Sequence, residues 1–325
     1  MNEPVFKKNS LLVSTSPHIH TDESVRKIMW LVAASLIPAG IAGIAVFGRA
    51  ALWTIMIGVA SAVITEWALQ LVTKRKVCIS DGSALLTGIL LSFNLPANVP
   101  FWIPIIGSFF AIAIGKHVFG GLGQNIFNPA LVGRVFLVAS WPKYLTAFTR
   151  PLEFDAVTSA TPLALLKEGK MTDAISYLDL FLGRRGGCIG EVCIVALLLG
   201  ALFLLWRGYI SLHIPLSFIA TVGIFTYIFA GKQGLFSGDW LFHILSGGLI
   251  LGAFFMATDY VTSPLTRRGR VVFGIGSGVL TILIRIFGSM PEGVCYAILF
   301  MNLLTPLIDR YMIERPNEIK ILQKS

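Results

Sequence analysis

Charge is what this chain has least of. Only 13% of its 325 residues are Asp, Glu, Lys or Arg, against 55% hydrophobic. That leaves too little polar surface to cover a soluble globule of this size. Histidine and cysteine are sparse as well, at five and four residues. Cys188 and Cys193 would stand about 140° apart on a helix, so they cannot share one metal or cluster. All four cysteines read as small buried side chains, and His117, His213 and His243 are isolated, so no metal site is expected. The first twenty residues hold no apolar core with a small-residue cleavage site, so the start is expected to be cytosolic rather than a cleaved signal. No nucleotide fingerprint is present. Gly120-Gly121-Leu122-Gly123-Gln124-Asn125 follows no strand of a βαβ unit and lacks the lysine and serine spacing of a phosphate cradle.

What the chain does have is apolar runs, and a mean hydropathy of +0.78 makes it an integral membrane protein. Ten spans are expected, near residues 28–47, 51–72, 83–95, 101–119, 130–142, 189–206, 212–230, 241–257, 271–287 and 294–312. Arg26 and Lys27 flank the first span and Lys74-Arg75-Lys76 follows the second, which puts both clusters on the cytosolic side. Carried forward, the alternation keeps both termini cytosolic and puts the segment around Thr161 outside the cytoplasmic membrane. The net charge of +9 follows from this bias and needs no nucleic acid to explain it.

An internal repeat accompanies the spans. Gly82-Ser83-Ala84-Leu85-Leu86-Thr87-Gly88 can be laid over Ser246-Gly247-Gly248-Leu249-Ile250-Leu251-Gly252, in the third and eighth spans. A unit of five spans must re-enter the membrane in the opposite sense, which is an inverted repeat with its shared site near the midplane. The organisation expected is a cytosolic start (1–27), a first repeat (28–142), an extracytoplasmic loop (143–188), a second repeat (189–313) and a cytosolic tail (314–325). The fold class is all-α and polytopic.

The loop carries Asp155-Ala156-Val157-Thr158-Ser159-Ala160-Thr161-Pro162. It resembles the Asp-x-x-Ser/Thr-Gly-Ala-Thr signature at which flavin transferases esterify FMN to threonine, with Ser159 in place of the usual Gly. The run from Gly115 to Ala130 with Gln124-Asn125-Ile126-Phe127-Asn128-Pro129, the run Ala257-Thr258-Asp259-Tyr260-Val261-Thr262-Ser263-Pro264, Ser16-Pro17-His18-Ile19-His20 and Arg285-x-x-Gly288-x-x-Pro291-x-Gly293 are similar to segments of one family. It holds the D subunit of Rnf complexes and the B subunit of the sodium-pumping NADH:quinone oxidoreductase. The resemblance implies a ten-helix fold like that of urea transporters, with FMN joined through its phosphate to Thr161 and a second, noncovalent riboflavin. It also implies an electron-transfer subunit, not catalytic alone, of an ion-translocating enzyme that couples ferredoxin and NAD chemistry to Na+ or H+ movement. Partners would be the A, B, C, E and G subunits, a flavin transferase during maturation, and membrane lipid. Any iron–sulfur centre would belong to the partner subunits. Asp155, Thr158 and Ser159 are the candidates beside Thr161.

Each candidate also has a plainer reading. Thr161 before Pro162 is how an ordinary N-cap with Pro at the first helical position looks, and a helix start can itself receive a phosphate. Asn125 and Asn128 are either amides holding a re-entrant turn or contacts to a flavin or ion. Arg134 and Arg285 face protein, a flavin or a carboxylate. Intramembrane carboxylates are costly and therefore functional candidates, with Asp259 and Glu66 first for ion or flavin contacts. Asp81 and Asp309 are expected to pair with nearby Arg or Lys. The alternative function is a small-solute channel or transporter without a redox cofactor.

Overall fold

The computed structural model describes residues 23–75, 77–149, 158–159, 161–167, 176–183, 186–231, 234–288 and 292–312. Apart from one two-residue strand pair these are helices, turns and irregular segments. Asp155, Ala160, His18, His20 and Pro291 lie outside the described residues.

Each of the ten apolar stretches falls on helix, and the differences lie in length. The first is a helix in two parts, α1 (Val25–Ser35) and α2 (Ile37–Phe47), divided at Leu36. Pro38 stands in the first turn of α2 and has no N–H to continue the ladder of α1. Next comes α3 (Arg49–Val72), 24 residues long. By contrast α4 (Ser83–Phe93) and α6 (Pro129–Ser140) have 11 and 12 residues. At 1.5 Å per residue such helices cover about half of a ~30 Å hydrocarbon core. Between them α5 (Trp102–Ile112) runs on into a π-helical turn, Ala113–His117.

A connector follows: α7 (Pro142–Thr146), the strands β1 (Phe148–Thr149) and β2 (Thr158–Ser159), α8 (Pro162–Lys167) and α9 (Tyr177–Leu182). The strands pair antiparallel, Phe148 opposite Ser159 and Thr149 opposite Thr158. The second half comprises α10 (Ile194–Trp206), α11 (His213–Phe229), α12 (Trp240–Leu245), α13 (Leu249–Leu251) with the π turn Gly252–Met256, α14 (Arg267–Phe287) and α15 (Val294–Met312). Three of the described helices are long and apolar enough to cross a membrane unaided: Val25–Phe47, Arg49–Val72 and Arg267–Phe287.

Packing repeats between the halves. In the first, α3 packs on α5 and α5 on α6; in the second, α11 packs on α14 and α14 on α15. Close crossing depends on small residues, as between helices in lipid. A side chain at Gly88 of α4 would begin 2.7 Å from Val59 Cα of α3, and one at Gly133 of α6 would begin 2.6 Å from the Gly107 carbonyl of α5. One continuous core, including Phe93, Leu131, Ile189, Phe218, Phe255, Phe273 and Ile298, unites the two halves. Outward-facing Trp53, Ile64, Leu199, Leu202, Leu216 and Ile224 leave a broad apolar perimeter suited to lipid.

Candidate functional site

Polar side chains collect where these helices break. Thr161 is buried, at 5% exposure. Its hydroxyl accepts a hydrogen bond from the Ala164 amide at 3.3 Å, and its carbonyl accepts from Leu165 at 3.0 Å, so it caps α8. The capping role read from Thr161-Pro162 is therefore present. With only six residues, α8 has a small macrodipole, so helix polarity adds little at Thr161. From α8, Leu163 reaches the turn Ser246-Gly247-Gly248 and packs with Leu180 and Phe242. The connector is thus laid on the break in the eighth apolar stretch.

Beside this turn lies a cluster that joins the halves. Arg134 of α6 donates to Asn94 Oδ1 at 3.1 Å and to Cys188 Sγ at 3.3 Å, and it pairs with Glu292. Glu191 and Glu292 carboxylate oxygens and Cys188 Sγ lie within 4.8 Å of one another, a donor set that could receive a metal cation. Arg134 already places a positive charge against two of those three groups. Cys188 is fully buried, whereas Cys78 is exposed and Cys193 and Cys295 are half-buried. The expectation of four buried cysteines is corrected: Cys78 sits in the polar stretch before α4, not under a helix. Nor are Cys188 and Cys193 on one helix, because both precede α10.

At the other end of the short helices, Asn125, Asn128 and Asp259 come together. They line one small cavity, of about 50 Å³, with Met29, Ser83 and Lys116. Asn128 caps α6, accepting from the Ala130 amide at 3.0 Å, and donates to the Met256 carbonyl at 3.3 Å, across the halves. Asn125 donates to the Phe127 carbonyl at 3.0 Å within its turn. Asp259 accepts from the Thr262 hydroxyl at 3.2 Å. The amides therefore do hold the turn, as the plainer reading required, and they also face a cavity. Arg134 and Thr161 are not part of that cavity lining, and of Thr158 and Ser159 only the backbone pairing is described.

Glu66 has a partner that its own segment does not reveal. Lys116, in the π turn, donates to both its carboxylate oxygens at 2.7 and 2.8 Å and to the Ser83 hydroxyl at 2.6 Å. Gln70 adds a donor at 3.1 Å. Lys116 is thus no topological surface charge; it is buried against α3 and α4. Asp81 accepts from the amide and hydroxyl of Ser83, and Asp309 accepts from the Leu265 amide. The Lys or Arg partners expected for these two are replaced by main-chain and hydroxyl donors at helix starts.

Fold and sites together define a helical integral membrane protein whose polar centres are built on interrupted helices between two packed halves. The chain belongs to the family described as NQR2, RnfD, RnfE, whose sequence model matches residues 12–318. It is 49% identical over 321 residues to the D subunit of the proton-translocating ferredoxin:NAD(+) oxidoreductase complex of Clostridium ljungdahlii, covering 96% of this chain and 97% of that one. It is also 49% identical over 309 residues to the D subunit of the Na(+)-translocating ferredoxin:NAD(+) oxidoreductase complex of Acetobacterium woodii, covering 94% and 95%. The D subunit of the ion-translocating oxidoreductase complex of Stutzerimonas stutzeri is 40% identical over 319 residues, covering 88% and 90%.

Proposed function

We propose that this chain is the membrane electron-carrying subunit of an ion-translocating ferredoxin:NAD oxidoreductase, and that Thr161 carries FMN through a phosphoester. The other subunits of such a complex are its partners, and it is not catalytic alone. One observation carries the cofactor assignment: a hydroxyl inside the flavinylation-like octapeptide stands at a chain position held against the break between α12 and α13. Joining the two forms a bond from Thr161 Oγ to the phosphorus of FAD, breaks the bond to AMP and gives the hydroxyl proton to a base of the transferase. Because Thr161 is buried, attachment precedes docking of the connector onto the Ser246–Gly248 turn. Bound FMN would supply one-electron chemistry.

The protein's own part is to hold and shield. Arg134, balanced by Glu292, and the neutral amide of Asn94 give a fixed polar wall at the junction of the halves. Asn125, Asn128 and Asp259 line a separate small cavity whose polar groups suit an ion, and a second, noncovalent flavin such as riboflavin would have to open it further. The repeated packing of α3, α5 and α6 in α11, α14 and α15 supports the inverted five-helix repeat, and the basic clusters flanking the first two spans support a loop of Thr161 outside and both termini cytosolic. The reading of a solute channel has no matching support, since the relatives above are named as oxidoreductase subunits.

Co-expression with a flavin transferase tests the assignment. The wild-type band on a denaturing gel should fluoresce, Thr158→Ala should fluoresce equally and Thr161→Ala should be dark. A dark wild-type band, or a bright Thr161→Ala band, overturns it.

A further inference from the structure

Two buried polar side chains beside the connector have no hydrogen-bond partner among the described residues. Ser246 Oγ is in a residue 1% exposed, and His243 Nδ1 in one 6% exposed. Leaving such a group unsatisfied is costly, so native proteins keep few of them without a reason. These two lie in one short stretch, at the end of α12 and the start of the following turn. Arg285 of α14, also buried, is inserted into the same stretch. It donates to the His243 carbonyl at 2.7 Å and to the Ser246 and Gly247 carbonyls at 3.1 and 3.5 Å.

The turn is shaped for close approach. Gly247 and Gly248 have φ of 71° and 64°, which only glycine adopts without strain. At the point where a Gly247 side chain would begin, Leu163 Cδ1 of the connector is 2.4 Å away and Arg285 Nη2 is 3.0 Å away. Leu163 follows Thr161 by two residues. The Gly248 side of the turn is taken by the Glu191 carboxylate, whose Oε1 lies 2.8 Å from the corresponding point. The anion-compatible side is therefore the Gly247 side, where the connector and the guanidinium meet.

We propose that Arg285, Ser246 and His243 form the dock for the phosphodiester on Thr161. A phosphodiester carries one negative charge and two non-bridging acceptor oxygens. The guanidinium matches the charge, and the Ser246 hydroxyl with an Nδ1–H tautomer of His243 supplies neutral donors. The proposal rests on the covalent-flavin reading above. It adds that the phosphoryl group is gripped by the second half of the protein, which ties the connector to the α12–α13 break.

The test uses the whole complex co-expressed with its transferase. Gel fluorescence first measures covalent flavin, and a phosphodiesterase then releases flavin from the native, detergent-solubilised complex at a measured rate. Ser246→Ala removes a hydroxyl without a partner among the described residues, so it should leave the level of covalent flavin unchanged yet speed release about tenfold, the loss of one charge-assisted hydrogen bond. Arg285→Lys should speed it further. Ser277→Ala removes another buried hydroxyl without a partner, in α14, and should release at the wild-type rate. Wild-type rates in Ser246→Ala overturn the dock alone, whether or not Arg285→Lys folds, and so does equal acceleration in Ser277→Ala. A wild type without covalent flavin overturns the dock together with the reading beneath it.

Discussion

Replacing Lys116 by Met while keeping Glu66 would leave a buried carboxylate with only His117, which is not isolated but has its Nε2 3.9 Å from Oε1, to balance it. The side chains of Lys116 and Glu66 are 3% and 2% exposed, and Lys116 Nζ meets both carboxylate oxygens within 2.8 Å. Removing one member of such a pair costs about 3–5 kcal/mol, most of it the penalty of the stranded charge. At about 2 °C per kcal/mol for a chain of this size, Lys116→Met should lower the unfolding midpoint by roughly 6–10 °C. Glu66→Gln combined with Lys116→Met removes both charges and should return to within about 2 kcal/mol of wild type, because a neutral amide in that place can still bond to Gln70. Thermal unfolding of the purified protein in detergent, followed by tryptophan fluorescence, measures all four members of the cycle. Salt should change the coupling little, since buried pairs are poorly screened. Additive losses, or a single-mutant loss below about 1 kcal/mol, would refute the claim that these groups form a closed buried pair.

Gly88→Ala should cost about 1–3 kcal/mol by the same assay, because its methyl would begin 2.7 Å from Val59 Cα in a backbone crossing that cannot yield. Asn128→Ala, which loses both the cap on α6 and the donor to Met256, should cost about 1–3 kcal/mol, and Asn128→Asp at least as much, because it keeps the cap but sets a buried carboxylate oxygen against the Met256 carbonyl. Arg134→Lys should cost about 2–4 kcal/mol, since one ammonium cannot span Asn94, Cys188 and Glu292 as the guanidinium does. A loss under about 0.5 kcal/mol in that variant would mean that the Arg134 cluster does not join the halves.

The apolar stretches were legible because lipid demands them, and each coincides with helix. The first span was expected as one run, 28–47, and Pro38 divides it at Leu36. The stretches 83–95 and 130–142 were counted as spans, yet α4 and α6 have only 11 and 12 residues and cover about half of the hydrocarbon core. Thr161 as a cap could be read from the proline that follows it. The partners could not be read, because they are set by packing between distant segments. Nothing around Lys116 announces its partner, yet it meets Glu66, fifty residues earlier. Arg134 finds Glu292 from 158 residues away. One signal was available: an arginine in an apolar run needs a carboxylate, and Glu292 beside Pro291 and Gly293 was among the few candidates. Ser246 and His243 gave no signal at all, since their lack of partners is visible only in three dimensions.

These long-range pairs also bear on how the two halves can move. Rocking one five-helix unit against the other is a common way for an inverted repeat to expose its site alternately. Here the junction is crossed by Arg134 to Cys188 and Glu292, by Asn128 to Met256 and by a shared apolar core. Parting the halves would strip a buried guanidinium of its carboxylate, at about 3–5 kcal/mol, before any apolar surface is counted. Two relatives equally similar to this chain are named for protons and for sodium, so a change of ion need not rebuild the frame. Contacts of that kind oppose parting of the two halves, whichever ion a relative's complex is named for.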